Sequence, residues 1–332
     1  MNPALRCFEN PIEAIGATPL VRLPNVARET PAQVYAKLEF MNPMGSIKDR
    51  IARYMIEKAE KEGRIEKGAV IVENSSGNTA LGLALVAVQK GYRLKVVVRD
   101  CLSIEKMRQL QALDVEIVTV DSTLPPESPD SYNNITPRIA AETPDSFFPD
   151  QHNNLDNNET HYLTTGPEIW EQMEGRIDYL VAGIGTGGTV AGAAKYLKEK
   201  DPAIKVIAVD PKGSVFYDYF HHGRLEKPAP YLIEGLGDEF LIGCADFSNI
   251  DDIYQVTDAQ AFAHARLLAR DEGLLVGGSS GAALWAVLRL ARTLRKPARI
   301  VTIFPDGGTR YLSTIFNDDW LKAKGVLNNS ET

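Results

Sequence analysis

Cysteine is scarce in this chain: Cys7, Cys101 and Cys244 are the three in 332 residues. They are scattered, odd in number and lack CxxC spacing. That excludes a disulfide framework, argues against a zinc site and leaves no metal expected. Positive charge is also short. Against 44 Asp and Glu stand 36 Lys and Arg, and a net charge of −8 argues against nucleic acid or an acidic membrane as partner. No apolar run is long enough to span a bilayer. The opening MNPALRCFENPIEAIG lacks the apolar block of a secretory leader, so a cytoplasmic protein is expected. There is no internal repeat, heptad pattern or low-complexity tract. What remains is ordinary globular composition, 44% hydrophobic and 24% charged, over a length that suits two domains.

Apolar, β-branched runs alternate with helical patterns. The runs predict strands over 69–73, 94–98, 115–120, 179–184, 205–210 and 299–304. Helices are predicted over 79–90, 104–113, 164–173, 189–200, 259–272 and 280–294. Such alternation means right-handed βαβ units and parallel sheets covered by helices. The expectation is an α/β chain of two domains, over residues 1–155 and 156–325 with a tail at 326–332. Residues 20–41 are expected to pack with the second domain. Ser122–Pro149, rich in Pro, Ser and Asp, reads as a long irregular excursion. Phe216–Leu236, carrying His221 and His222, reads as a second long connection.

Lys48 stands in Asn42-Pro43-Met44-Gly45-Ser46-Ile47-Lys48-Asp49-Arg50, after a Pro/Gly turn and at the start of a helical pattern (Ile51, Tyr54, Met55, Ala59). Ser46 and Asp49 have capping-box spacing. An amine in the first helical turn faces the positive end of the dipole, which disfavours the ammonium form and suits Schiff-base chemistry. The plain alternative is a surface lysine beside Asp49 and Arg50.

The 179–184 run is followed by Gly185-Thr186-Gly187-Gly188-Thr189 and a helix. Glycines let backbone N–H groups close on an anion at the helix N-terminus, and the two threonines add hydroxyls, so a phosphate site is expected. Gly183, Gly185 and Gly188 also satisfy the dinucleotide fingerprint, with Asp210 at the end of the next strand. An NAD-dependent dehydrogenase is therefore a rival reading. Two further strand–turn–helix junctions, Asn74-Ser75-Ser76-Gly77-Asn78-Thr79 and Gly277-Gly278-Ser279-Ser280-Gly281, are dense in donors. The first suits a carboxylate. In the second, capping accounts for one serine and leaves the other for a ligand.

Taken together, these motifs resemble the fold-type II pyridoxal-phosphate (PLP) enzymes of the cysteine synthase and cystathionine β-synthase family, with a tryptophan synthase β-like fold. The likeness runs from about Ile12 to Trp320 and is nearest to a cystathionine β-synthase catalytic core without regulatory domains. Glu127-Ser128-Pro129-Asp130-Ser131, Asn153–Asn157, Asp210–Ser214 and Glu234–Gly237 carry that part of it. The resemblance implies PLP in the cleft between the domains, bound to Lys48. It implies Gly185, Thr186, Gly187, Gly188 and Thr189 on the phosphate, Asn78 on the ring hydroxyl and Ser279 on the pyridine nitrogen. The substrate carboxylate would meet Ser75, Ser76, Gly77, Asn78, Thr79, Gln151 and Gly235.

The implied reaction is β-replacement on serine or an O-activated serine through an aminoacrylate, with sulfide, a small thiol or an amine as acceptor, or water in a lyase-type hydrolysis. The products would be cysteine, cystathionine, a relative, or a diaminopropionate precursor. Homodimers are implied as well. The chain departs from the family pattern at three places. Asp238 replaces a tyrosine, His152 replaces an aromatic, and Arg99-Asp100-Cys101-Leu102 lacks a proline. A carboxylate at Asp238 could serve as a base for the acceptor. The plain alternative is a solvated or ion-paired Asp238.

Overall fold

The computed structural model describes residues 7–75, 77–100, 102, 104–125 and 128–327. Along the chain run β1 (Leu20–Arg22), β2 (Ala32–Leu38), α1 (Lys48–Lys61), β3 (Val70–Asn74), α2 (Asn78–Lys90), β4 (Arg93–Arg99), α3 (Ile104–Ala112), β5 (Glu116–Val120), α4 (Tyr132–Glu142), β6 (Ser146–Phe147) and α5 (Asp156–Leu163). Then follow α6 (Thr165–Gln172), β7 (Tyr179–Gly183), α7 (Gly188–Lys200), β8 (Lys205–Pro211), α8 (Phe216–His222), β9 (Asp252–Val256), α9 (Asp258–Asp271), α10 (Gly278–Thr293), β10 (Ala298–Phe304) and α11 (Asp318–Ala323). The chain divides into two units: Met1–Ala17 with Met41–Asp156, and Thr18–Phe40 with Asn157–Thr332.

The first unit holds a wholly parallel sheet in the order β5-β4-β3-β6. Every residue of β3 is buried, as a central strand covered on both faces requires. From β3 the chain steps through α2 to β4 and α3 to β5, then returns to lay β6 on the other side of β3. Strand order thus reverses at β3, and ligands in open α/β sheets bind beyond the carboxyl ends at such a reversal. Ile56, Ile71, Leu83, Val96 and Val98 fill the core.

The second unit holds the sheet β1-β2-β10-β7-β8-β9, parallel except for the short β1, which runs antiparallel to β2. Here the order reverses at β7, with β8 and β9 to one side and β10 to the other. Nearly all of α10, from Gly278 to Ala291, is buried. The architecture is α/β with two mainly parallel sheets.

Some local expectations need correcting. Ser122–Pro149 is not irregular throughout, because it carries α4 and β6. Pro137 lies inside α4 and removes only one backbone donor. Phe216–Leu236 begins with helix α8, so His221 is helical; its ring meets that of Tyr217 in a tilted contact, 4.5 Å between centroids, and its Nε2 lies 3.1 Å from the Ile253 carbonyl. The capping box at Ser46 does not form. Helix α1 starts at Lys48 with Ile47 as N-cap and no side-chain cap. The Asp49 carboxylate instead reaches back to accept from Met44 N–H at 2.6 Å, tightening the turn. Cys101 lies outside the described residues, and Cys244 is a buried free thiol. Among the described residues no helix is long and apolar enough to cross a membrane, and no group of three or more His, Cys, Asp or Glu could hold a metal ion.

Candidate active site

In the first unit the Lys48 turn is tightly built. Gly45 takes a positive φ of 75° and donates to the Asn42 carbonyl at 2.8 Å. Asn42 Oδ1 in turn accepts from Gly16 N–H at 2.9 Å, and Ser46 Oγ accepts from Lys48 N–H at 3.2 Å. Asp49 and Arg50 are buried and Lys48 itself is half-buried, so the turn is not a solvated helix face. Gly82 explains how α1 meets α2. A Cβ there would lie 3.0 Å from the Lys48 carbonyl oxygen and 3.1 Å from Ala52 Cβ. The backbone that carries Lys48 is therefore packed one turn from the start of α2, where the 74–79 loop ends.

That loop follows β3. Ser75 is buried, and its Oγ accepts from Gly77 N–H (3.3 Å) and Ala80 N–H (3.2 Å), folding the loop onto the first turn of α2. Ser76 lies outside the described residues. Asn78 opens α2, and Gly77 makes no side-chain cap there. Thr79 Oγ1 donates to Gln151 Oε1 at 2.5 Å, and Gln151 Nε2 donates to the Asn74 carbonyl at 3.3 Å. So Thr79 and Gln151 meet, as one binding surface requires. His152, next in line, is held down to about 4 by burial and then by the Lys48 charge, with Asp150 opposing. The imidazole and the lysine are electrostatic neighbours.

Two groups at this loop escaped sequence reasoning. Glu73, at the end of β3, is fully buried. Its carboxyl accepts from Asn74 N–H (3.0 Å) and Gln151 N–H (3.3 Å), and burial pushes its pKa up to about 8. A lone acid closing the apolar run Ala69–Val72 was the available signal. Lys106 on α3 is buried too, with Nζ 4.0 Å from where a Gly77 Cβ would stand. Nothing in the local pattern of α3 marks it.

In the second unit the Gly185–Thr189 loop links β7 to α7. Each glycine is required by close approach. A Cβ at Gly185 would lie 2.2 Å from the Gly235 carbonyl oxygen, and one at Gly188 would lie 2.0 Å from Asn157 Oδ1. Gly187 adds a positive φ of 86° and would strike Ala245 Cα at 2.5 Å. Gly187 is also the N-cap of α7 and offers no side chain, so side chains leave the first N–H groups of the helix to another acceptor. Thr186 is buried and Thr189 half-buried, which adds two hydroxyls to this set of donors.

Ser279 and Ser280 lie in the first turn of α10, and neither caps it, since the N-cap is Gly277 without a side-chain bond. The expectation that one serine caps is therefore corrected. Both are buried. The Ser279 hydroxyl bonds to no other described residue, and Ser280 Oγ has no partner. Gly235 (φ 79°), Leu236 and Gly237 run against β7 and its loop, with Gly237 N–H donating to the Ile184 carbonyl at 2.7 Å. Asp238 follows, half-buried, its Oδ1 accepting from Glu239 N–H at 2.7 Å. Asp210, fully buried, accepts from Tyr217 N–H at 3.0 Å. Burial raises it to about 7, and the charges of Asp218 and Asp238 add to the rise.

The residues present fit pyridoxal phosphate. One unit offers an amine beside the donor-rich 74–79 loop. The other offers a glycine-lined loop at an uncapped helix start, suited to a phosphate, and a buried hydroxyl with no bond to another described residue. Relatives agree with this reading. The family described as "Pyridoxal-phosphate dependent enzyme" matches residues 12–306. Cystathionine beta-synthase of Apis mellifera is 42% identical over 318 residues, 95% of this chain but 63% of that protein. The chain likewise spans 58% of the length of the Oryctolagus cuniculus cystathionine beta-synthase, at 41% identity. A cysteine synthase of Staphylococcus aureus is 41% identical, with 94% of this chain and 97% of that protein covered. The crystal structure of an O-acetylserine dependent cystathionine beta-synthase from Helicobacter pylori superposes with a TM-score of 0.85 at 38% identity, over 93% of this chain and 99% of that one. On fold, site and likeness together, the chain belongs to the pyridoxal-phosphate-dependent enzymes, among the relatives of cystathionine beta-synthase and cysteine synthase.

Proposed function

We propose that this chain catalyses β-replacement on serine or an O-activated serine such as O-acetylserine or O-phosphoserine. A small thiol, sulfide or amine adds at the β-carbon to give cysteine, cystathionine or a related β-substituted alanine. The observation that carries the proposal is the convergence within the first unit. Lys48, the start of α2 and the Gln151-His152 pair are tied together by Gly82, by the Thr79–Gln151 bond and by the charge of Lys48 felt at His152.

Gly185–Thr189 would hold the cofactor phosphate, Asn78 its ring hydroxyl, Ser279 its pyridine nitrogen and Lys48 its aldehyde carbon. Bound there, pyridoxal phosphate supplies an electron sink for loss of the α-proton and of the β-substituent. The protein does the rest. Ser75, Asn78, Thr79 and Gln151 grip the substrate carboxylate, with Ser76, Gly77 and Gly235 expected to join them. Buried Lys106 supplies a cation beside Gly77. Lys48 Nζ, as the neutral amine, takes the α-proton and later returns one to the same carbon. His152, neutral at physiological pH, brings no second positive charge to Lys48. Asp238 is the base we assign to the incoming nucleophile. A cytoplasmic homodimer is the working assembly, supported by the family resemblance alone.

The purified chain supplied with pyridoxal phosphate should be yellow, and borohydride should fix the label on Lys48. Adding serine, O-acetylserine and O-phosphoserine in turn should change the absorption with one donor and leave the others inert. A panel of thiols, sulfide and amines then identifies which acceptor restores the starting spectrum. A colourless protein, or a label on another side chain, defeats the reading.

A further inference from the structure

We propose that Asn157 and His161 of α5 form a hydrogen-bond relay that makes the Thr186 and Thr189 hydroxyls donors toward a bound phosphate. They would be positioning residues, since they act through the threonines. The inference rests on reading Gly185–Thr189 as the phosphate loop.

Asn157 and His161 stand four residues apart and share one face of α5. Both are wholly buried, at 0% exposure. They reach the loop because α7 has glycine where α5 crosses it. A Cβ at Gly188 would meet Asn157 Oδ1 at 2.0 Å, and one at Gly192 would meet the Asn158 carbonyl oxygen at 2.1 Å and His161 Cβ at 2.9 Å. At that range Asn157 Nδ2 donates to Thr186 Oγ1 at 2.9 Å. His161 Nε2 lies 3.1 Å from Thr189 Oγ1, and its Nδ1 lies 2.9 Å from Thr165 Oγ1, itself buried.

A hydroxyl has one proton and two lone pairs. When Thr186 accepts from the Asn157 amide, its own proton points away from α5. The histidine has two settings. A neutral imidazole carries one N–H, so one ring nitrogen donates and the other accepts. If Nε2 carries the proton, Thr165 donates to Nδ1, Nε2–H donates to Thr189, and the Thr189 proton is free for the loop. The other tautomer draws the Thr189 proton back to the ring and turns a lone pair outward. A phosphate dianion rejects the second setting and selects the first. The relay thus fixes the polarity of the cradle from behind, where the anion makes no contact.

The test uses the full chain, stripped of cofactor and titrated with pyridoxal 5′-phosphate and with pyridoxal. Wild type should prefer the phosphorylated ligand. Asn157→Asp and His161→Leu should weaken pyridoxal phosphate about 10- to 100-fold while moving pyridoxal less than about twofold, the scale of a lost hydrogen bond to a charged group. His161→Gln, whose amide can place an N–H where Nε2–H stood, should recover most of the loss. In wild type, ¹⁵N spectra of the five histidines should show His161 moving to the Nε2–H tautomer as phosphate ligand is added. Equal weakening of both ligands, or a tautomer indifferent to the ligand, overturns the relay while leaving the loop assignment standing. If wild type binds the two ligands alike, the phosphate-loop reading itself falls, and the relay with it.

Discussion

Replacing Glu73 with glutamine should change how the first unit responds to pH, and the structure gives sign and size. The native carboxyl is raised from an ordinary 4.5 to about 8, chiefly by burial. Below pH 4.5 it is protonated in both folded and unfolded chains and costs nothing. As pH rises, the unfolded chain releases the proton first while the native one keeps it, so native stability falls until about pH 8 and then levels. The gap from 4.5 to about 8, at about 1.4 kcal/mol per pH unit, amounts to ~5 kcal/mol.

Glutamine carries no proton to lose. Its NH₂ would face either Asn74 N–H or Gln151 N–H, a donor–donor conflict costing about 1–3 kcal/mol. Glu73→Gln should therefore be the less stable protein near pH 5 and the more stable one near pH 9. Tryptophan fluorescence is a poor reporter, because Trp170, Trp285 and Trp320 all belong to the other unit. Hydrogen exchange of β3 and α2 peptides from pH 5.5 to 9 is the assay. A stability difference between the two proteins that stays constant across that range refutes the argument. A functional corollary follows. Above pH 8 the ionised Glu73 places a negative charge beneath the loop we assign to the substrate carboxylate, so KM for the amino-acid donor should climb in wild type and stay level in the variant.

His152 should titrate higher in Lys48→Met, read by NMR, yet stay below 6.5, because burial and not the lysine is the larger cause of its depression. Lys106→Met should raise donor KM about tenfold with little change in kcat, the mark of a lost charge-assisted contact; an unchanged KM removes Lys106 from the site. Ser279→Asp should slow β-replacement by about tenfold or more, on the scale of one misplaced polar group in a buried site. It should also increase transamination, since a carboxylate keeps the pyridine ring cationic; an unaltered replacement rate counts against Ser279 as partner of the ring nitrogen. Asp238→Asn should slow the acceptor step by roughly 10²-fold or more if its carboxylate is the base, and an unaltered acceptor profile leaves Asp238 a solvated side chain.

The strands and helices legible in the sequence were those marked by a short apolar run or by helical periodicity: β3, β4, β5, β7, β8 and β10 with α2, α3, α6, α7, α9 and α10. Those that escaped depend on partners far away in sequence. Strand β2 reads AQVYAKL, and a lysine at its end argues against a buried strand. Yet Lys37 is wholly buried, because Glu168 (2.6 Å), Gln172 (2.8 Å) and the Thr18 carbonyl (2.7 Å) receive its ammonium. Helix α5, reading DNNETHYL, has too few apolar residues to announce a buried face. Asn157, Thr160 and His161 are nonetheless buried, and the bonds of Asn157 to Thr186 and of His161 to Thr165 and Thr189 make that tolerable. Helix α4 was hidden by Pro137.

The dinucleotide fingerprint shows why glycine spacing alone misleads. Its first two positions, Gly183 and Gly185, are glycine here because this chain's own residues press on them: Leu236 Cδ2 at 2.3 Å and the Gly235 carbonyl at 2.2 Å from the positions of their missing Cβ atoms. Space taken by the 235–237 segment is not space for a pyrophosphate and second nucleotide. The acid that should grip a ribose fails as well, since Asp210 is wholly buried and turned to Tyr217 N–H. With a pKa near 7 it would be half protonated at neutral pH, an unsuitable acceptor for paired hydroxyls. What survives of the motif is its second half, Gly187-Gly188-Thr189, where α7 begins without a side-chain cap. That half suits one phosphate group, and one phosphate is what pyridoxal phosphate brings.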